Sequence, residues 1–125
     1  MRKPTDEVTS EPDLVRMERW TRWVVRLLAR AVRRSADPRT RDWLQGAKED
    51  AESLNRALRD ATRGGLDAGQ VAIVCSIYEL WDANHDRTER LAAEADPLGH
   101  EVWRRRSAGA RPLTDPSERP LTAVG

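Results

Sequence analysis

DPRTRDWLQGAKEDAESLNRALRDATRGG, residues 37–65, is the stretch of sequence that indicates the fold most directly. Its apolar side chains alternate strictly at three- and four-residue spacing, which is the heptad pattern of a helix that packs along one face. They are Leu44, Ala47, Ala51, Leu54, Leu58 and Ala61. Asp37 followed by Pro38 is a helix-start signal, and Gly64 with Gly65 is a stop signal because glycine takes the left-handed cap conformation easily. The segment predicts a long amphipathic helix.

The preceding segment, Leu14 to Arg34, predicts another amphipathic helix with a basic face. Its apolar residues fall on one side of a helical wheel: Met17, Trp20, Val24, Leu27, Leu28 and Ala31. Its arginines fall on the other side: Arg16, Arg19, Arg22, Arg26, Arg30 and Arg33. Ser10 and Asp13 resemble a capping box around Pro12, so we expect the helix to begin between Glu11 and Asp13.

The following segment predicts a third long helix that begins at Asp67. Gln70 completes a capping box with Asp67, while Leu66 and Val71 are placed to form a hydrophobic staple. The predicted packing seam of this helix reads Val74, Ile77, Trp81, Asn84, Thr88, Leu91 and Ala95. Asp96 with Pro97 then opens a short fourth helix that carries Val102 and Trp103.

These elements predict an all-α fold, a three-helix antiparallel bundle with a short fourth helix and a mobile C-terminal tail. Short connections between helices favour antiparallel neighbours, and no stretch has the alternation of a strand. We expect residues 1–12 to be a flexible N-terminal segment and residues 13–108 to be the bundle domain. Residues 109–125 contain three prolines and few apolar residues, so we expect a disordered tail there.

Composition limits the classes of protein to which the chain can belong. At 125 residues, with 38% hydrophobic and 34% charged residues, the sequence predicts one globular domain. The longest apolar run, residues 71–75, is about a quarter of the roughly 20 residues that span a bilayer, so no integral membrane association is expected. With no signal peptide at residues 1–7, the predicted location is cytoplasmic. Arginine far outnumbers lysine, which indicates a bacterial source.

No arrangement of residues indicates catalysis, so we predict a protein that is not an enzyme and needs no cofactor. Cys75 is the single cysteine and lies in the apolar run, where an inert thiol is expected. A carboxylate three residues before a histidine, as in Asp82 and His85, is part of the di-iron bundle pattern. The second such pair is missing because Pro97 stands three residues before His100. We therefore expect His85 to lie exposed on a solvated acidic face.

Tryptophan and polar seam residues indicate a surface for protein contacts. Five of the six aromatic residues are tryptophans, and tryptophan with arginine is enriched at binding hot spots. We predict a partner-binding surface made of Trp23, Trp43, Asn84, Thr88 and Trp103, although packing of the tryptophans against the fourth helix is an equal alternative. The polar pair Asn84 and Thr88 either specifies the register of an oligomer or marks an open bundle end. The predicted function is a non-enzymatic interaction module that self-associates or docks on a partner protein.

The alternative function is a nucleic-acid-binding accessory protein. Residues 14–34 hold seven arginines and one glutamate, a local charge of +6, and three more arginines follow Trp103. The candidate phosphate contacts are Arg19, Arg26, Arg30, Arg33, Arg104, Arg105 and Arg106. The net charge of +1 argues against this alternative. We expect instead that the basic rim of the first helix pairs with acids of the third helix, which has a local charge of -5 over residues 67–96.

Overall fold

The computed structural model describes residues 11–112, which contain five helices and no strand. The helices are α1 (Glu11–Arg34), α2 (Pro38–Thr62), α3 (Ala68–Ala83), α4 (His85–Ala95) and α5 (Pro97–Arg106). The all-α prediction is confirmed. No helix in this part of the chain is long and apolar enough to cross a membrane. The predicted cap at Ser10, the segment before it and the tail after Pro112 lie outside the described residues.

The predicted single third helix is wrong, because the chain forms two helices that meet at Asn84. Asn84 has φ -102° and ψ 5°, and its backbone N–H donates to the carbonyl of Trp81 at 3.2 Å. Its side-chain amide donates to the carbonyl of Leu80 at 3.2 Å. Asparagine favours such local side-chain bonds over a regular helix, so it is a natural place for the break.

The predicted helix starts are confirmed by their side-chain caps. The carboxylate of Asp37 accepts from the backbone N–H of Thr40 at 2.9 Å. Asp67 and Gln70 form the reciprocal capping box, with bonds of 2.8 and 2.9 Å. These caps satisfy backbone donors that the first turn of a helix leaves without partners.

The start of α5 shows why the chain needs glycine at position 99. Asp96 accepts from the backbone N–H of Gly99 at 3.1 Å and pairs with the Arg30 guanidinium of α1 at 3.0 Å. A Cβ atom at position 99 would overlap the carboxylate of Asp96 and would lie 2.8 Å from Nε of Arg30. Glycine therefore permits the contact between α5 and α1.

The predicted apolar faces of the first two helices form the core, with a buried polar bond network between them. Leu28, Leu44, Leu58 and Val24 are completely buried. The side-chain amide of Asn55 on α2 donates to the Glu18 carboxylate at 3.0 Å and to the Thr21 hydroxyl at 2.9 Å on α1. These directional bonds fix the register of the two helices, because a shift would leave buried polar atoms unpaired.

Only part of the predicted seam of the third helix faces the core, where Val74 is buried and Trp81, Leu91 and Ala95 pack partly buried against it. The buried residues on α3 and α4 are Val74, Cys75, Tyr78, Asp82, His85 and Ala92. Ile77 and Asn84, both assigned to the packed seam from the sequence, are exposed. Apolar residues occupy two overlapping three-and-four rows on α3, and the row that includes Cys75 and Tyr78 is the one that faces the core.

The chain beyond α5 packs on the junction of α3 and α4. The Arg111 guanidinium contacts the carboxylates of Asp82 at 3.0 Å and Asp86 at 3.1 Å. Pro112 is buried. Residues 110–112 therefore contact the folded body, while the rest of the predicted tail lies outside the described residues.

Candidate functional site

An open groove of about 760 Å³ lies between α2 and the α3–α4 segment. The α2 side is lined by Asp42, Trp43, Gly46, Ala47, Asp50, Ser53, Leu54 and Ala57. The opposite side is lined by Val74, Ile77, Leu80, Trp81, Asn84, Arg87 and Thr88. The groove volume lies in the range of ligand-binding clefts, and its elongated pair of helical walls suits an extended occupant.

Small side chains form much of the α2 wall. Gly46, Ala47, Ser53 and Ala57 line it, whereas the large residues Leu44 and Leu58 of the same helix are buried in the core. A Cβ atom added at Gly46 would meet nothing within 4 Å. Small residues on a helix surface let another helix approach closely. The α2 wall thus offers space for large side chains from an occupant.

Helix α3 carries a row of exposed large apolar side chains, Ile73, Ile77 and Leu80, which we call the α3 row; Ile77 and Leu80 also line the groove. Their exposed fractions are 60%, 49% and 71%. The spacing of four and then three residues places them on one side of α3. Because the opposite side of α3 packs in the core, the helix is apolar around most of its circumference. Helices of that kind are normally covered on both sides.

One end of the groove is polar. The Arg87 guanidinium of α4 lies 5.6 Å from the ring centroid of Trp43 on α2, within the range of a cation–π contact. Asn84 and Thr88 lie at the same end, where the Thr88 hydroxyl donates to the carbonyl of Asn84 at 3.3 Å. The groove therefore has an apolar length and a hydrogen-bonding end.

The structure brings three of the five predicted partner-binding residues together in this groove. Trp43, Asn84 and Thr88 all line it. Trp103 instead lies in the core, 7% exposed, and its indole N–H donates to the carbonyl of Trp23 at 2.7 Å. Burial removes Trp103 from any docking surface. Trp23 is half-buried beside this contact, with Arg26 5.1 Å from its ring centroid.

Two important groove residues were not identified as surface residues from the sequence. Ile77 was assigned to the core, and Leu80 was not singled out. The available signal is the second three-and-four row on α3, because two apolar rows on different sides of one helix cannot both face the same neighbouring helices. Periodicity alone did not indicate which row α1 and α2 would cover.

The arginines of the alternative nucleic-acid surface are exposed, and several are engaged in ion pairs. Arg30 pairs with Asp96, while Arg104 and Arg105 contact Glu101 at 3.2 and 3.1 Å. Arg19, Arg26, Arg33 and Arg106 are exposed. Of the expected pairing between the first helix and the acids of residues 67–96, the Arg30–Asp96 pair is present, whereas Asp82 and Asp86 contact Arg111 from the segment after α5.

The prediction that His85 is exposed is wrong, because its ring is 2% exposed within an aromatic cluster. Its ring centroid lies 5.0 Å from that of Trp20 and 6.1 Å from that of Trp81. The apolar row that faces the core carries His85 inward at the start of α4. The histidine therefore contributes to packing between α1, α3 and α4.

Glu89 connects the two histidines of the chain. Its carboxylate oxygens lie 3.0 Å from Nε2 of His85 and 2.7 Å from Nε2 of His100. The hydrogen bond from His85, followed by that from His100, outweighs partial burial and lowers the pKa of Glu89 from 4.5 to about 2. The carboxylate is therefore ionised at neutral pH and ties α4 to α5.

Within residues 11–112, no group of three histidine, cysteine or acidic side chains is placed to hold a metal ion. Burial raises the pKa of the Cys75 thiol, which is 5% exposed, so the thiol is protonated and shielded.

No protein-family model matches this chain, and no curated protein or solved structure matches it. The groove and the α3 row are therefore the features from which a function can be inferred.

Proposed function

We propose that this protein is a non-enzymatic interaction module that binds one α-helix of a protein partner in the groove between α2 and α3. The observation that carries the proposal is the α3 row, three large apolar side chains that remain 49% to 71% exposed beside an open groove. Contiguous exposed apolar surface of this kind is typical of contact sites.

The shape and chemistry of the groove favour an amphipathic helix as its occupant. One wall has small side chains and the other has a ridge at four-and-three spacing, the arrangement into which the ridge of a third helix packs. The required partner presents large aliphatic side chains on one face. Trp43 is suited to anchor it, because the ring lines the groove and is 39% exposed.

The proposal includes the three-helix antiparallel bundle as the supporting scaffold, in which α3 and α4 together take the place of the third helix. The hydrogen bonds of Asn55 to Glu18 and Thr21 support the pairing of α1 with α2. The Arg87–Trp43 contact supports the placement of α4 beside the start of α2. The groove then lies where the α3–α4 segment diverges from α2.

The nucleic-acid alternative has weaker support. Arg19, Arg26 and Arg33 are exposed at seven-residue intervals and face one side of α1. Glu101, however, occupies Arg104 and Arg105, and Asp96 occupies Arg30. The basic surface available to phosphates is thereby reduced.

A binding titration tests the proposed function. The probe is a fluorescently labelled, synthetic four-turn helix with leucines at alternating three- and four-residue spacing, and binding is followed by anisotropy. Leu80→Asp places a charge in the groove and is expected to weaken binding at least about tenfold, because a charge opposes burial against apolar side chains. Leu98→Asp is the matched control, since Leu98 is 81% exposed on α5, outside the groove.

The wild-type protein and the Leu98→Asp variant should bind the probe with the same affinity. Absence of saturable binding at a protein concentration low enough for the wild-type protein to be monomeric would contradict the proposal. Equal weakening by the two substitutions would also contradict it, because the probe would then be responding to general surface hydrophobicity rather than to the groove.

A further inference from the structure

We infer that the helix that occupies the groove is α3 of a second copy of this chain, so that two copies form a symmetric dimer in which their α3 helices pack against each other. The inference rests on the proposed function, because it names the partner for the same groove. It follows from the shape, the charge and the sequence pattern of the α3 surface.

The ridge and the groove that would receive it lie side by side on one surface. The α3 row supplies a ridge of two isoleucines and one leucine, and Ile77 and Leu80 of that row also form a wall of the groove. A twofold rotation therefore sets the ridge of each copy into the groove of the other copy. Such an interface is isologous and closes at two copies. The two α3 helices pack antiparallel when the twofold axis is perpendicular to them.

The charge of this surface permits two identical faces to meet. The 16-residue helix α3 carries two charged residues, Glu79 and Asp82, and Asp82 is 7% exposed on the core side. The α3 row itself is uncharged, and the whole chain has a net charge of only +1, so two copies repel each other weakly. The groove that receives the row also carries Asp42 and Asp50 on its α2 wall and Arg87 on α4, so the uncharged row packs against the small residues Gly46 and Ala47 that lie between the two carboxylates in the sequence.

The row has the spacing of a helix–helix seam and ends in a polar residue. Ile73, Ile77, Leu80 and Asn84 follow each other at intervals of four, three and four residues. Asn84 is exposed at the end of α3. A polar residue at one position of such a seam disfavours shifted registers, because a shift buries its amide against aliphatic side chains. Asn84 therefore limits the ways in which two α3 helices can align.

Sedimentation equilibrium of the full chain tests the inference. The wild-type protein should have twice the 14.2 kDa monomer mass at high micromolar concentration. The Leu80→Asp variant should have the monomer mass with unchanged helical circular dichroism, because Leu80 is 71% exposed and contributes little to the folded monomer. The Leu98→Asp variant, with the same change outside the groove, should remain dimeric.

The outcomes separate this inference from the proposed function. A monomeric wild-type protein that binds the synthetic helix overturns the dimer and leaves the proposed function in place. A dimer that survives Leu80→Asp overturns the inference, because the two copies would then meet through another surface. A monomeric wild-type protein that fails to bind the synthetic helix overturns both.

Discussion

The pairing of α1 with α2 and the exposed side of α3 use the same sequence pattern with opposite results. On α2, the three-and-four row is covered by α1, and Leu44 and Leu58 are fully buried. On α3, the row of Ile73, Ile77 and Leu80 has the same spacing but remains about half exposed or more. The difference shows that apolar periodicity identifies a face suited to burial but does not identify which element of the chain, if any, covers that face.

Polar side chains distinguish the two regions further. Between α1 and α2, the Asn55 amide bonds to Glu18 and Thr21 inside the core. Along the groove, Asn84 bonds to the carbonyl of Leu80 within its own segment. The first asparagine completes an internal interface, and the second lies at the edge of an open one. Each of the following experiments tests this contrast.

The largest expected difference in unfolding free energy is between truncating a buried leucine and truncating an exposed isoleucine. Leu58→Ala should lower the free energy of unfolding by about 2–5 kcal/mol, because it leaves a cavity where Leu58 is fully buried. Ile77→Ala should change it by less than about 0.5 kcal/mol in the monomer, since Ile77 is 49% exposed. Urea unfolding at low protein concentration measures both. Similar losses for the two variants would mean that the α3 row already belongs to the core.

Acid unfolding tests how firmly the covered side of α4 is attached. The pKa of Glu89 is lowered to about 2, so its ionised form stabilises the fold above about pH 4.5, and that stabilisation is lost as pH falls towards 2. The loss amounts to at most about 3 kcal/mol. Glu89→Gln should therefore flatten the decrease in stability between about pH 5 and pH 2, measured by urea unfolding at several pH values.

A matched substitution on the same helix provides the control for the acid experiment. Glu94→Gln replaces an exposed glutamate of α4 and should leave the steep pH dependence of the wild-type protein intact. An unchanged slope in the Glu89→Gln variant would show that the contacts of Glu89 with His85 and His100 do not hold α4 in solution.

The two asparagines provide a smaller and more selective contrast. Asn55→Leu should destabilise the protein by about 1–3 kcal/mol, because it deprives the Glu18 and Thr21 side chains of a buried donor. Asn84→Leu should stay within about 0.5 kcal/mol of the wild-type monomer, because Asn84 is exposed. If two copies pair through the α3 row, Asn84→Leu should raise the stability of the pair and permit additional alignments of the two α3 helices. Thermal unfolding and a mass measurement on both variants check these expectations. Equal losses of stability in the Asn55→Leu and Asn84→Leu variants would contradict them.

Much of the fold could be predicted from local signals. The helix starts at Asp37, Asp67 and Asp96 could be predicted because each cap is a hydrogen bond between residues three apart in the sequence. The apolar faces of α1 and α2 could be predicted because each helix has one such face. Among the candidate site residues, Asn84 and Thr88 interrupt an apolar seam and Trp43 lies at the edge of another, and all three line the groove.

The remaining features depend on tertiary choices. Either apolar row on α3 can face the core, and the choice depends on the burial of Tyr78 and on the packing of His85 against Trp20 of α1, which local periodicity does not encode. The same choice buries His85 and exposes Ile77, the opposite of both predictions. The contact of Arg111 with Asp82 spans 29 residues, so no local pattern could indicate it.

Hydrogen–deuterium exchange of the wild-type protein at low and high micromolar concentrations tests most directly whether the exposed side of α3 is a contact surface. The amides of α3, residues 68–83, should exchange more slowly at the higher concentration, because association stabilises this helix against local opening. The amides of residues 14–34 on α1 should show a smaller change, since their apolar side is already covered within one chain. Exchange of α3 that is identical at the two concentrations would contradict association through the α3 row.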